Sequence, residues 1–279
     1  MTQNFDAFAA FRMTDHNVLI TGGAQNIGAG IARLLAGAGA KVMIADLQGD
    51  KAKETAARME AETGLRCIGM ACDVTRAAEI DAVVAACVDE FGGISTLVNN
   101  VGWGSRHEDP TAISDEALVD AYRLNTISAY RMSMACLPHL LKAKNPTITN
   151  SGSFSSALPA YDILAYGTAK AALNQMMISL AHMLAKKVRV NSLLIGTVLT
   201  EGYADAGIDA AVQQRLLNPD NLVDRTGKPE DLENAMLWLC PPRQQLGQRA
   251  GDQGQRRRQR RPAFWHLSAP AFRPAASRP

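Results

Sequence analysis

Residues 17–28 read Asn17-Val18-Leu19-Ile20-Thr21-Gly22-Gly23-Ala24-Gln25-Asn26-Ile27-Gly28. A short apolar run stops at Thr21-Gly22-Gly23, and over 27–38 apolar side chains recur at helical spacing. A second apolar run, 41–46, ends in Asp46. Strand, glycine-rich turn, helix and strand make a βαβ unit, and the crossing helix forces its two strands to run parallel.

The same alternation continues along the chain. Its periodicity predicts strands over 65–73, 96–99, 147–150 and 188–194. Helices are predicted over 51–62, 77–91, 115–141, 166–184 and 229–239. Pro138 is expected to break the third of these, and Pro229 suits the first position of the last. Six strands alternating with helices give an α/β fold, a single-domain Rossmann-type doubly wound parallel sheet. The folded body covers 14–240, after an N-terminal extension of 1–13 and before an Arg/Pro-rich tail of 241–279. The stretch 200–224 reads as irregular helix overhanging the carboxyl ends of the strands.

A chain of 279 residues, 47% hydrophobic, can bury one substantial core. The cysteines Cys67, Cys72, Cys87, Cys136 and Cys240 are odd in number, lack a C-x-x-C and mostly lie in apolar runs, as expected in a reducing cytosol. No apolar run approaches the roughly 20 residues that span a bilayer, and the N-terminus shows no signal pattern. A soluble, cytoplasmic protein is expected. The histidines His16, His107, His139, His182 and His266 have no ligand spacing, so no metal is expected. Charge is divided unevenly: 20 basic against 26 acidic side chains over 1–240, nine arginines against one aspartate over 241–279.

The turn after the first strand opens a helix whose first N–H groups and dipole can hold a pyrophosphate, with Gln25, Asn26, Ile27 and Gly28 at its start. Gly22 makes the turn, and Gly28 lets helix and sheet approach. Asn26 stands where a further glycine is usual, and Asn is well able to take positive φ. Alone, such a turn also fits an ordinary βα connection. A phosphate-loop NTPase is excluded because Gly-Lys-Ser/Thr is missing. Asp46, about 24 residues after Gly22, can accept both hydroxyls of an adenine ribose and would repel a 2′-phosphate. Neither Gln25 nor Leu47 brings a cation for that phosphate, which favours NAD over NADP.

Tyr166-Gly167-Thr168-Ala169-Lys170 puts a phenol and an ammonium on one helical face. Lowering a phenol from pKa ~10 to ~7 takes roughly 4 kcal/mol of preferential phenolate stabilisation. A nearby ammonium and an oxidised nicotinamide can supply this in a partly dry cleft. The pair alone is a common chance spacing, but its context is specific. Ser153 lies thirteen residues before Tyr166 at a strand end, Asn125 falls in the preceding helix, Asn99-Asn100-Val101-Gly102 closes the fourth strand, and Asp73-Val74 closes the third.

Together these motifs resemble the short-chain dehydrogenase/reductase family over about four-fifths of the chain, from Val18 to Cys240. The resemblance implies that Tyr166 is the general acid/base, that Ser153 binds the substrate oxygen, and that Lys170 lowers the Tyr166 pKa and holds the nicotinamide ribose. Asn125 would hold the water through which protons reach Lys170. Asp73 and Val74 would contact the adenine, Asn99 and Gly102 would line the cofactor groove, and Gly196, Val198 and Thr200 would face the nicotinamide. Asn26 replaces the family's Gly, Val101 its Ala and Ile195 its Pro. The last change is expected to loosen the turn that fixes the carboxamide and to weaken cofactor affinity.

Tyr203, Ile208, Val212, Leu216 and Leu217 over 200–224, with Trp103 opposite, suggest an apolar cleft for a bulky secondary alcohol such as a hydroxysteroid. The motif order, with Arg225-Thr226-Gly227-Lys228-Pro229-Glu230, is similar to bacterial 7α-hydroxysteroid dehydrogenases. Acyl-carrier-protein β-ketoacyl reductases share these motifs but usually favour NADP, against which Asp46 argues. A nucleotide-binding protein that has lost turnover is a further alternative. The family's usual assembly is a homodimer or homotetramer.

The family ending, a glycine-rich loop and a final strand, is missing after Cys240. Permitted codons for residues 244–258, shifted by one base, read Ser-Asn-Trp-Val-Ser-Gly-Gln-Val-Ile-Lys-Val-Asn-Gly-Gly, which is such an ending. Residues from about Pro242 onward are therefore expected to be a frameshift product, which resequencing tests. The rival reading, a nucleic-acid arm at Arg256–Arg261, ranks below it.

Overall fold

The computed structural model of the chain describes residues 8–107, 109–158, 162–198, 200 and 227–241. Strands β1 (Asn17–Thr21), β2 (Lys41–Asp46), β3 (Cys67–Ala71), β4 (Thr96–Asn99), β5 (Thr147–Ser153) and β6 (Arg189–Ile195) form one sheet in the order β3-β2-β1-β4-β5-β6. Every pairing is parallel. The direction of winding reverses between β1 and β4, and open α/β sheets bind ligands in the crevice outside the carboxyl ends at such a switch point.

Helices α1 (Asn26–Gly37), α2 (Gly49–Thr63), α3 (Ala77–Phe91), α4 (Asp115–Tyr122), α5 (Ser128–Leu140), α6 (Leu164–Met183) and α7 (Pro229–Leu239) flank the sheet. The period of two along β1 divides the core. Val18 and Ile20 join Ile31, Leu35, Met59 and Met236, so α1, α2 and α7 cover one face. Leu19 joins Val83, Met132 and Leu173, so α3, α5 and α6 cover the other. With both faces covered, the strands read as continuous apolar runs, and each large side chain buried contributes about 1.5–3 kcal/mol. The five cysteines are all buried and free. Among the described residues no helix is long and apolar enough to cross a membrane.

The helix expected over 115–141 is divided elsewhere than at Pro138. Residues Arg123–Ile127 form a π-helical turn in which the Ser128 N–H donates to Arg123 O, and α5 then runs through Pro138 to Leu140. Pro138 sits in the final turn, where its missing N–H removes one hydrogen bond near an end. The widened turn buries Asn125 and Thr126, and the Thr126 hydroxyl donates to Ala169 O at 2.7 Å. Such bulges recur at functional sites. At the opposite end of the sheet Arg189 opens β6 and donates to Leu239 O (2.9 Å) and Cys240 O (2.6 Å), tying the end of α7 to the sheet. The cover expected over 200–224, apart from Thr200, and the tail from Pro242 lie outside the described residues.

Candidate active site

The carboxyl ends of three adjacent strands are joined by Asn100. Its backbone N–H donates to the Thr21 hydroxyl (3.1 Å), its side-chain amide donates to Gly22 O (3.0 Å), and its Oδ1 accepts from the Ser151 hydroxyl (2.8 Å). The glycine-rich turn is thereby fixed against β4 and β5. Gly22 takes φ 64° and Asn26 φ 50°, the left-handed region. A Cβ on Gly28 would stand 1.9 Å from Gly22 O, so helix α1 can begin this close to the strand only with glycine there. N–H groups in the first turn of a helix have no partner within it. Together with the acid described next, this cradle fits a dinucleotide.

Asp46 accepts from Ala24 N–H and Gln48 N–H, each at 3.0 Å, one on each carboxylate oxygen. The carboxylate is held across the turn with lone pairs remaining for ribose hydroxyls. Lys51 donates to the Gln25 side-chain oxygen, so a cation stands at this rim that the sequence reading overlooked. It lies in the first turn of α2, remote from Gln25 in sequence. Asp73 accepts from both the hydroxyl and the N–H of Thr75, which hold its carboxyl below the usual range, and Val74 beside it is buried. Asn99 is buried and donates to Asn150 (2.9 Å) and Ser133 (3.1 Å). Its Oδ1 has no partner, and the residue lines a small recess with Thr21, Val74 and Val101.

Tyr166 and Lys170 lie one turn apart in α6, with Lys170 Nζ 5.6 Å from the centre of the Tyr166 ring. Lys170 is 2% exposed and donates to Ser151 O (3.0 Å) and Val101 O (3.5 Å). Burial pushes its pKa down to about 8. Gly102 crosses the ammonium so closely that a Cβ would stand 2.6 Å from Nζ and 3.1 Å from Asn125 Oδ1. Lys170 and Asn125 therefore meet on one glycine. Gly104 lies against the phenol in the same way, 2.4 Å from Tyr166 Cβ to its would-be Cβ. Between them, Asn125 grips the Trp103 peptide from both sides, accepting from its N–H (3.1 Å) and donating to its carbonyl (2.8 Å).

Ser153 ends β5, where its Oγ accepts from Ser155 N–H (3.2 Å) and lies 2.8 Å from Ser155 Oγ. The turn carrying Ser155 abuts the first turn of α6, since a Cβ on Gly167 would be 3.2 Å from Ser155 O. β6 extends to Ile195, which pairs with Ser153. The residue that replaces the family's Pro thus keeps an N–H and continues the strand. Gly196 follows, Val198 is buried and bridges to Gly227, and Thr200 is half-buried. Sequence reasoning missed Asn100, Ser155, Lys51 and the grip on Trp103. Of these, Asn100 carried a signal, because it adjoins Asn99 in the motif Asn99-Asn100-Val101-Gly102.

A family model described as enoyl-(acyl carrier protein) reductase matches residues 22–246. The chain belongs to the short-chain dehydrogenase/reductase family. It is 33% identical over 226 residues to 4-formylbenzenesulfonate dehydrogenase of Comamonas testosteroni, covering 80% of this chain and 89% of that one. A 7α-hydroxysteroid dehydrogenase solved with NADH and 7-oxo glycochenodeoxycholic acid superposes with a TM-score of 0.79 at 28% identity, over 85% of this chain and 91% of that chain. L-sorbose reductase of Gluconobacter frateurii, solved with NADPH and L-sorbose, gives 0.76 at 28% identity, over 84% and 92%. Members of this oxidoreductase family bind nicotinamide cofactors of both kinds.

Proposed function

We propose that this short-chain dehydrogenase/reductase passes a hydride between NAD and a secondary alcohol or ketone, with Tyr166 as acid/base. The observation that carries the reading is the meeting of Lys170 and Asn125 on Gly102, and of Tyr166 on Gly104, beside the Ser153 turn at the switch-point edge. When bound, the nicotinamide accepts or returns the hydride.

The chain's own residues bind and move the proton. Ser153 Oγ, already accepting from Ser155 N–H, can give its hydrogen to the substrate oxygen. The Tyr166 hydroxyl takes the alcohol proton in oxidation and gives it back in reduction. The Lys170 ammonium favours the phenolate and holds the nicotinamide ribose, and Asn125 holds the water through which protons reach Lys170. Gly22, Gln25, Asn26, Ile27 and Gly28 take the pyrophosphate. Asp46 takes the adenine ribose, Asp73 and Val74 take the adenine, and Gly196, Val198 and Thr200 the nicotinamide.

Asp46 favours NAD, and Lys51 is the feature that would favour NADP. A 3-oxoacyl-carrier reductase is the second reading, and Lys51 at the ribose rim is the observation on its side. The substrate is an apolar secondary alcohol, with a hydroxysteroid as the leading class. The body 14–240 is one oxidoreductase domain working in the cytoplasm. Exposed Val119, Tyr122 and Tyr130 on α4 and α5 support a homodimer or homotetramer, which light scattering tests.

The decisive experiment is a panel of hydroxysteroids and cyclic alcohols with NAD, followed by NADH formation. Turnover of at least one is expected. Tight NADH binding with no turnover across the panel would instead identify a binding protein that has lost its chemistry.

A further inference from the structure

We propose that Trp103 is the specificity-determining residue of this site, its indole forming a wall against which a flat apolar ring of the substrate stacks, and that the Arg106–Asp162 pair is a positioning device for that wall. The proposal rests on the oxidoreductase reading and deepens it by naming the substrate's shape.

Trp103 is 59% exposed, although burial of an indole would contribute more than that of almost any other side chain. Its backbone is nevertheless among the most firmly held in the site, because Asn125 bonds both its N–H and its carbonyl. The next residue, Gly104, leaves no room for a Cβ against Tyr166. Farther along, the Arg106 guanidinium pairs with the Asp162 carboxylate, His107 N–H donates to Asp162 O at 2.8 Å, and Ser105 Oγ lies 2.9 Å from His107 Nε2. Residues 102–107 are thus a strap laid across the phenol and fastened at both ends.

A rigid aromatic side chain on a fixed backbone presents apolar surface at little entropic cost, which is how anchoring rings are used in recognition. The strap's cation is paired with Asp162, so the large apolar side chain it leaves exposed is the indole, one residue before the Gly104 that lies against Tyr166. A flat apolar face matches the indole, and stacked or edge-to-face aromatic pairs gain energy beyond area burial, so a flat substrate ring is the complement this wall selects.

The test compares 1-phenylethanol with 2-butanol, in the full chain with NAD. In Trp103→Ala the preference for ring over open-chain alcohols, as the ratio of kcat/KM values, is expected to fall about tenfold, with the change in KM rather than kcat. Trp103→Phe should restore most of it. Arg106→Gln should lower the preference about threefold through KM, by loosening the strap. A preference unchanged within about twofold in Trp103→Ala, while the wild type turns these alcohols over, would overturn the proposal alone. Absence of wild-type turnover with every alcohol and hydroxysteroid would overturn both it and the reading beneath it.

Discussion

Lys170 and Arg189 are buried cations at opposite ends of one sheet. Both are solvated by backbone carbonyls, and among the described residues neither has a carboxylate within ion-pair reach. Arg189, at the amino end, directs two guanidinium nitrogens to Leu239 O and Cys240 O, where its charge also complements the carboxyl end of α7. Burial lowers its pKa as well, but two good hydrogen bonds hold it in place. Lys170, at the carboxyl end, has one good bond to Ser151 O and a longer one to Val101 O, and its pKa falls to about 8. Its burial opposes folding. The difference teaches that the first charge holds the architecture, whereas the second is a cost the fold alone does not require and the proposed proton transfer would explain.

Removing the two cations should therefore have opposite effects on stability. Lys170→Met is expected to lower alcohol turnover about a thousandfold. The same variant should be more stable than the wild type at pH 7 by about 1 kcal/mol, since the drop from 10.5 to about 8 amounts to about 3 kcal/mol and the carbonyls of Ser151 and Val101 that it strands offset about 2. Between those two pH values the unfolded lysine binds the proton that the folded one has lost, so wild-type stability rises with pH. The variant's advantage is full below about pH 8, shrinks as pH rises above it and reverses before pH 10.5, where only the stranded carbonyls remain. Urea unfolding of both proteins at neutral and alkaline pH measures this, and a variant less stable at pH 7 would break the contrast.

Arg189→Met should destabilise by about 3 kcal/mol, because it strands the Cys240 carbonyl and leaves that of Leu239 only a 3.5 Å bond from Asn191 at the end of α7. Thermal unfolding gives the size, and faster amide exchange in α7 gives the location. Gly102→Ala sharpens the comparison at the functional end. The atom its Cβ would strike is the tip of the flexible Lys170 side chain, so the fold should lose about 1 kcal/mol or less, while displacement of that tip should lower kcat about tenfold.

Much of this was legible in the chain. β1, β2 and β4 have the bounds expected of apolar runs closed by turn residues, and both faces of the sheet are covered as such runs require. α3 and α7 likewise end where Gly92 and the Lys228-Pro229 start would place them. The division of the 115–141 helix was not legible, because periodicity marks Pro138 as a breaker but carries no sign of a π turn in which Asn125 is buried and bonded to Trp103. Ser155, Lys51 and the strap at 102–107 were equally hidden, since each depends on which loops meet at the carboxyl edge. Local patterning specified the elements, and tertiary approach specified the hydrogen bonds at the site.

The most direct measurement is NAD-linked turnover by Tyr166→Phe, made alongside NADH titration of the same protein. Loss of at least about a hundredfold in kcat with NADH affinity kept within a few fold is the predicted result, since only the proton-carrying oxygen has gone. A variant that oxidises the alcohol at close to the wild-type rate would contradict the account.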